Sequence, residues 1–241
     1  MASVNMEQSD SISERMRILE NILRDPDEGV RQKAAESLSR IEAMVNFDTY
    51  VSMLDSDDRA ARIQAIYLLG ELATEEAVKL LQSQMGDPYD DVRAAVIQAL
   101  GDSANSYRVR EIREKAVDIV LVGLGDLNLS IRASAADALA RFKDPRSAIP
   151  LLAIAKDMTD HEGEDAQLMI SVILALGEIG DRGAVPDMIE KTRTDNPDIK
   201  EAALKALGMM GDPSAEGCLI ESLTSDNPRI RMQAAESLGR I

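Results

Sequence analysis

A motif that recurs about every 31 residues constrains the fold of this chain more than any other feature of its sequence. Each copy begins with an apolar residue followed by Arg or Lys in all but one copy. Ala or Val comes three residues later and Leu four residues after that. The Leu position is occupied by Leu38, Leu69, Leu100, Leu139, Leu176, Leu207 and Leu238, at spacings of 31, 31, 39, 37, 31 and 31 residues. Because self-similarity at a fixed period is typical of repeat proteins, the sequence predicts seven units with two insertions.

Each repeat unit is predicted to contain two helices. In the second helix, apolar residues fall on one face at helical spacing, and the first helix precedes it, as in residues 76–84 and 147–156. Turns rich in Asp, Asn and Pro separate the two helices. Gly follows the motif Leu in five copies, which favours a left-handed C-cap there. One helix pair cannot bury both of its faces, so neighbouring pairs are expected to stack into a continuous core.

The composition supports a helical fold and limits the range of functions. Apolar residues make up 45% of the chain, enough for a core, whereas aromatic residues make up only 2%. The 27 basic and 43 acidic residues give a formal charge of −16, which argues against binding to nucleic acid or to anionic membranes. One Cys and one His exclude an internal disulfide and a site of several histidines.

The chain is expected to be a cytoplasmic protein with one folded unit. No apolar run approaches the length of a membrane span, and the first residues lack the apolar core of a signal peptide. We expect residues 1–12 to be disordered and residues 13–241 to form a single solenoid, with insertions near 102–110 and 156–165. The last repeat has no capping helix after it, so its apolar end face is a candidate homodimer surface.

The motif resembles that of HEAT-repeat proteins, in particular the short-unit variety named after phycobilisome lyase subunits, over about residues 13–241. The resemblance implies an all-α solenoid, an α-α superhelix of about seven antiparallel helix pairs, with the second helices lining a concave face. It implies little about function, because this fold serves many unrelated proteins. Phycobilisome lyase subunits attach or detach bilin chromophores, usually as heterodimers.

Six units carry a cation at the second position of the motif, and each has an Asp five or six residues earlier. The cations are Arg31, Arg62, Arg93, Arg132, Lys200 and Arg231, and the acids are Asp25, Asp57, Asp87, Asp126, Asp195 and Asp226. These residues predict a ladder of salt bridges within and between units that fixes the stack. The alternative is a stripe of cations that binds anions.

The fifth unit departs from the pattern. Met169 replaces the cation, and Ile170 and Leu174 occupy two positions at which the residues of the other units, taken together, are mostly polar. Ile63 and Tyr67 occupy the same two positions in the second unit. Since a helix that is apolar all round is either buried or in contact with something, we interpret Ile63, Tyr67, Ile170 and Leu174 as docking positions for a partner. The alternative is that the insertion covers this helix and its apolar face is core.

Two further segments contain clustered charges. Residues 156–165 hold five acids and His161, but their spacing matches no calcium loop, so we predict a solvated acidic loop and no metal or cofactor. The alternative is a divalent metal site. The basic cluster Arg108, Arg110, Arg113 and Lys115 is predicted to be a solvated helix face, with a contact site for an acidic group as the alternative.

The sequence therefore favours a non-catalytic scaffold that binds protein partners, including partners with basic segments, on the concave face of the solenoid. The alternative function is a subunit of a bilin lyase-type enzyme that handles a chromophore. In that case the apolar patch at Ile170 and Leu174 would hold the edge of a tetrapyrrole.

Overall fold

The computed structural model describes residues 2–158 and 163–241. The described residues form fourteen α-helices and no strand. The helices are α1 (Ala2–Ile22), α2 (Glu28–Val45), α3 (Phe47–Leu54), α4 (Arg59–Leu72), α5 (Glu75–Gln84), α6 (Asp90–Asp102), α7 (Arg110–Gly123), α8 (Leu129–Phe142), α9 (Ala148–Asp157), α10 (Gly163–Ile179), α11 (Val185–Lys191), α12 (Pro197–Met210), α13 (Glu216–Ser222) and α14 (Pro228–Leu238). Short 3-10 turns lead into α9, α11 and α13.

The helices form seven consecutive pairs, one for each copy of the motif. Each even-numbered helix packs against the next even-numbered helix along the chain, from α2 to α14. The odd-numbered helices pack against this row and cover its other side. The predicted all-α solenoid of about seven helix pairs is therefore confirmed. The first helix, α1, also includes residues 2–12, for which the sequence led us to expect disorder.

The turns before the even-numbered helices explain where these helices begin. In five units the side chain of an Asp or Asn accepts a hydrogen bond from a backbone N–H of the first turn. These N-cap residues are Asp27, Asp58, Asn128, Asn196 and Asn227. Such caps satisfy N–H groups that have no partner within the helix. The ladder cations are thereby held in the first turn of their helices.

The prediction that the glycine after the motif Leu is a left-handed C-cap was wrong. Gly177 and Gly208 lie inside α10 and α12, and both helices continue to a left-handed glycine three residues later, Gly180 and Gly211. The inner glycines are instead points of close approach between helices. A Cβ on Gly177 would lie 2.8 Å from the Cα of Ala206 on the neighbouring even-numbered helix. Gly70, Gly101 and Gly208 make similar approaches.

The core runs along the whole stack and is built of aliphatic side chains. The motif residues from Leu69 to Leu207 are fully buried, as are Leu168 and Met169 of α10. Met169 therefore belongs to the core, whereas the motif arginines point to the turns. In the parts of the chain that the structure describes, no helix combines the length and apolar character needed to cross a membrane.

Candidate functional site

Two of the ladder cations join one repeat to the next through buried ion pairs. The Nε atom of Arg62 lies 2.9 Å from a carboxylate oxygen of Asp87, and that of Arg93 lies 2.8 Å from one of Asp126. Each Arg also donates to a backbone carbonyl of its own turn, Arg62 to Ser56 and Arg93 to Asp87. The side chains of both acids are less than a tenth exposed. Arg62 and Arg93 are therefore tied within the stack.

The ion pair between Arg93 and Asp126 lowers the pKa of the Asp126 carboxyl. Hydrogen bonding from Arg93 lowers the pKa of the Asp126 carboxyl, and burial opposes this effect. Backbone N–H groups of the turn, including that of Asn128, add to the lowering. The carboxylate is therefore held in its charged form at neutral pH.

Within residues 2–158 and 163–241, the remaining ladder residues form no carboxylate pairs between units. Arg31 and Arg231 donate to backbone carbonyls of their own turns. Among the described residues, Lys200 makes no ion pair, and the buried Nε of Arg132 has no hydrogen-bond partner. The acids Asp25, Asp57, Asp195 and Asp226 make no ion pair there either. A ladder through all six units therefore stays a prediction beyond these two pairs.

Ile170 and Leu174 line a groove of about 330 Å³ between α10 and α12. Both side chains are partly exposed, while the preceding Leu168 and Met169 are fully buried. Gln167, Ala202 and Lys205 complete the floor and wall of the groove. We call the surface formed by these five residues, Gln167, Ile170, Leu174, Ala202 and Lys205, the α10 groove.

Charged side chains form the rim of the α10 groove on the side of α14. Arg229 lies 3.0 Å from Asp198 and 2.5 Å from Glu201, so one cation neutralises part of two acids. Lys205 makes no ion pair within the described residues. An apolar floor with a charged rim is typical of surfaces that bind polypeptide segments.

Helix α8, which also packs against α10, carries an acid that the sequence pattern did not single out. Asp137 of α8 holds in the fourth unit the position that Leu174 holds in the fifth. Its carboxyl lies near the side chain of Ser171 on α10. Although Asp137 is exposed, neighbouring atoms displace part of its hydration and raise its pKa. The Ser171 hydrogen bond and the charge of Arg141 oppose this rise.

We expect Asp137→Asn to raise the free energy of unfolding at neutral pH. The folded state disfavours the charged form of Asp137, so its cost is present at high pH and disappears as the carboxyl is protonated. The advantage of Asn should grow as the pH rises from the carboxyl's ordinary pKa of 3.8, and vanish below it. Thermal unfolding of both proteins between pH 4 and pH 7 measures it. A melting temperature that falls at pH 7 would contradict the expectation.

The other two predicted docking residues lie elsewhere. Ile63 and Tyr67 are on α4, separated from α10 by α6 and α8, which is roughly 24–30 Å at ordinary helix spacing. The Tyr67 hydroxyl donates to the side chain of Gln98 at 2.8 Å, and partial burial raises its pKa. The structure therefore does not bring the four residues into one site.

The two charged segments form no metal site within the described residues. No group of three or more potential metal ligands comes together in residues 2–158 or 163–241, and His161 lies outside them. Three cations of the basic cluster have internal partners. Arg110 pairs with Glu114, Lys115 pairs with Glu75, and Arg113 donates to the Phe142 carbonyl.

The family model for HEAT repeats matches residues 47–109 and 161–239, more than half of the chain. The chain belongs to the HEAT-repeat family. The model for the PBS lyase HEAT-like repeat matches residues 131–157. No curated protein matches the sequence.

Solved structures share the fold of this HEAT-repeat chain. One is the complex of CpcE and CpcF of phycocyanin lyase from Nostoc sp. PCC7120, with 23% identity, a TM-score of 0.58, and coverage of 79% of this chain and 74% of that chain. Another is a designed armadillo repeat protein in complex with the peptide (KR)4, with 14% identity, a TM-score of 0.57, and coverage of 80% and 98%. At these identities the likeness shows the fold alone.

Proposed function

We propose that this HEAT-repeat protein is a non-catalytic scaffold of the cytoplasm that binds a segment of a partner protein at the α10 groove. The observation that carries the proposal is the partial exposure of Ile170 and Leu174 beside a charged rim. At the position of Leu174, most other units place a polar or charged residue: Glu36, Gln98, Asp137, Lys205 and Glu236. An aliphatic residue at this position therefore differs from most other units, and the difference occurs where the surface forms a groove.

The two aliphatic side chains are large enough to act as anchors. Full burial of an exposed Leu or Ile is worth about 1.5–3 kcal/mol, and these two are already partly buried. Completing their burial would therefore contribute about 2–3 kcal/mol together, or roughly 30–150-fold in Kd. A contribution of that size is typical of the few residues that dominate an interface.

Charge supplies the second part of the argument. With a formal charge of −16, the protein attracts positively charged segments and speeds their association. A designed armadillo repeat protein of similar fold was solved in complex with the basic peptide (KR)4. The same chemistry suits the acidic surface of this protein.

Peptide selection tests the proposal. Short random peptides displayed on phage are selected on immobilised wild-type protein, and the enriched peptides are measured against Ile170→Gln/Leu174→Gln. This variant copies Gln32 and Gln98, which stand at the equivalent positions of other units, so it is expected to fold. We expect the groove variant to weaken binding about 30-fold or more.

The matched control is Ile149→Gln, which replaces an aliphatic residue that is 80% exposed on α9, away from the even-numbered row. It should bind the selected peptides as wild type does, and circular dichroism should show all three proteins equally helical. Failure to enrich any peptide would refute the proposal, as would equal binding by the groove variant.

The alternative of bilin handling has less support from the α10 groove. The propionates of a bilin need cations, and two line the groove, Lys205 and Arg229. Arg229 is already paired with Asp198 and Glu201. Mixing the protein with biliverdin checks this alternative directly, because a binder shifts the visible absorbance of the chromophore.

A further inference from the structure

A cavity of about 440 Å³ at the C-terminal end of α8 has a positively charged wall. Three cations line it, Arg113 of α7 together with Arg141 and Lys143. Asn105, in the turn that follows α6, and Glu178 of α10 are its other polar residues. The wall therefore has more cations than acids, although the formal charge of the whole chain is −16. Its volume is within the range of small-molecule sites, about 300–1,000 Å³.

Arg113 is held at this wall by an aromatic pair. Its guanidinium carbon lies 5.6 Å from the centroid of the Phe142 ring, and the guanidinium donates a hydrogen bond to the Phe142 carbonyl. The ring of Tyr107, which belongs to the insertion near 102–110, stacks on the Phe142 ring at a centroid distance of 5.9 Å. Since a guanidinium has five N–H donors, several of them remain for a ligand.

Arg113 makes no ion pair of its own within residues 2–158 and 163–241. The carboxylate of Asp144 lies in the same region, but it is paired with Arg146 at 2.9 Å. Its pKa is lowered mainly by hydrogen bonds from Arg146 and less by the charge of Arg113. The positive charge of Arg113 is therefore available to an anion in the cavity.

The other two cations are in ion pairs that a ligand can replace. Arg141 lies 3.0 Å from Asp102, and Lys143 lies 2.8 Å from Glu178. All four side chains are between 42% and 60% exposed. Exposed ion pairs contribute little net stability, because water and salt screen them. Exchange of either carboxylate for an anion of a ligand therefore costs little.

The backbone of Lys143 is a second, independent observation at this cavity. Its φ of 50° lies in the left-handed region, which is unfavourable for any residue with a Cβ. At the equivalent position, four residues after the motif Leu, the fifth and sixth units have glycine (Gly180 and Gly211), and the second has Ala73. The fourth unit therefore keeps a lysine where glycine would cost less. Strained residues of this kind concentrate at ligand sites.

We infer that this cavity binds a small dianion, a compact molecule that carries a phosphate group or two carboxylates. Arg113 and Arg141 supply planar sets of donors that suit the oxygens of either group, and Lys143 supplies a compact positive charge. The charge of −16 repels a long acidic chain, whereas a small dianion lies within one Debye length, about 8 Å, of the local cations. The cavity shares no lining residue with the α10 groove, so the inference is independent of the proposed function.

Titration of the nitrogen-15-labelled full chain with inorganic phosphate, and separately with succinate, tests the inference by NMR. The ionic strength is kept constant with sodium chloride. We expect the backbone amide signals of Asn105 and Lys143 to shift and saturate with at least one dianion, at a Kd of about 1 mM or tighter. Saturation with phosphate alone would identify a phosphate site, and saturation with succinate alone would identify a dicarboxylate site.

Two variants connect this binding to the cavity. Arg113→Gln should weaken it about tenfold or more, because the unpaired cation is lost. Lys143→Gly should weaken it to a similar extent while the melting temperature stays at or above that of wild type, since glycine suits the left-handed backbone. A purely structural role of Lys143 would not separate binding from stability in this way. Lys143→Gly also decides the matter if Arg113→Gln fails to fold.

The matched control is Arg110→Gln, which removes a cation from the same helix but outside the cavity, where the side chain is 86% exposed and paired with Glu114. Its affinity should remain within about twofold of wild type. Absence of saturable shifts with both dianions would overturn the inference, as would equal shifts with chloride alone. Wild-type affinity in both Arg113→Gln and Lys143→Gly would overturn it too.

Discussion

Arg93→Ala is expected to lower the free energy of unfolding by about 3–5 kcal/mol, because it leaves a buried carboxylate without its cation. The Asp126 side chain is 8% exposed, so water cannot replace the lost guanidinium. The substitution also removes the hydrogen bond from Arg93 to the Asp87 carbonyl, which holds the turn of its own unit. Urea unfolding at pH 7 measures the loss.

The matched control is Arg141→Ala, which breaks the pair between Arg141 and Asp102. Both side chains of that pair are about half exposed, although it too joins neighbouring units. Exposed pairs contribute about 0–1 kcal/mol. A loss at Arg93 no larger than the loss at Arg141 would show that the buried pair does not fix the stack, and would favour the anion-binding interpretation of the ladder.

The pH dependence of the Arg93→Ala effect has a definite sign. Arg93 lowers the pKa of Asp126 in the folded protein, so the pair stabilises the fold above the ordinary Asp pKa of 3.8. This stabilisation is lost as the pH falls through the lower, folded-state pKa. The difference between wild type and Arg93→Ala should therefore be constant from pH 5 to pH 8 and shrink in more acidic solution.

The sequence predicts the helix pairs well because their signals are local. Apolar periodicity defines the even-numbered helices, and the Asp and Asn caps define where they begin. Arg62 and Arg93 lie in the first turn of α4 and α6. Their partners were harder to predict, since Arg62 and Arg93 pair with carboxylates of the following unit, 25 and 33 residues away. Only the side-by-side packing of even-numbered helices brings those turns together.

The candidate site also combines features that are visible in one helix with features that depend on the packing of two helices. The departure of Ile170 and Leu174 from the polar pattern is visible in one helix, so sequence reasoning found it. Asp137 lies on a different helix, and its residue type is ordinary at an exposed position. Its proximity to Ser171 depends on the packing of α8 against α10, which no periodicity reveals. Alignment with the preceding unit is the signal that could have found it.

The glycine of α10 provides the second large expected effect. Gly177→Val should lower the free energy of unfolding by about 3 kcal/mol or more, since overpacking costs about 1–3 kcal/mol for small insertions and Val adds three carbons. The first of these carbons would lie 2.8 Å from the Ala206 Cα. A helix backbone cannot yield as a flexible side chain does, so α10 and α12 must separate.

The matched control for Gly177 is Gly217, in α13, where an added Cβ would meet nothing within 4 Å. Gly217→Ala should stabilise the protein by up to about 1 kcal/mol, because Ala loses less conformational freedom than Gly in a helix. Urea unfolding measures both changes in the free energy of unfolding. If Gly177→Val lowers it and Gly217→Ala raises it, the close approach of α10 and α12 explains why residue 177 is glycine. Destabilisation of equal size at both would attribute the effect to glycine flexibility instead.

Separation of α10 and α12 would also act on the α10 groove, which those two helices form. Gly177 lies three residues after Leu174, so the Val side chain is introduced close to the aliphatic anchors. It replaces no residue that lines the groove. Under conditions where Gly177→Val remains folded, its affinity for the selected peptides should therefore fall. Unchanged affinity would mean that the partner contacts α10 alone, because only a segment that bridges both helices depends on the distance between them.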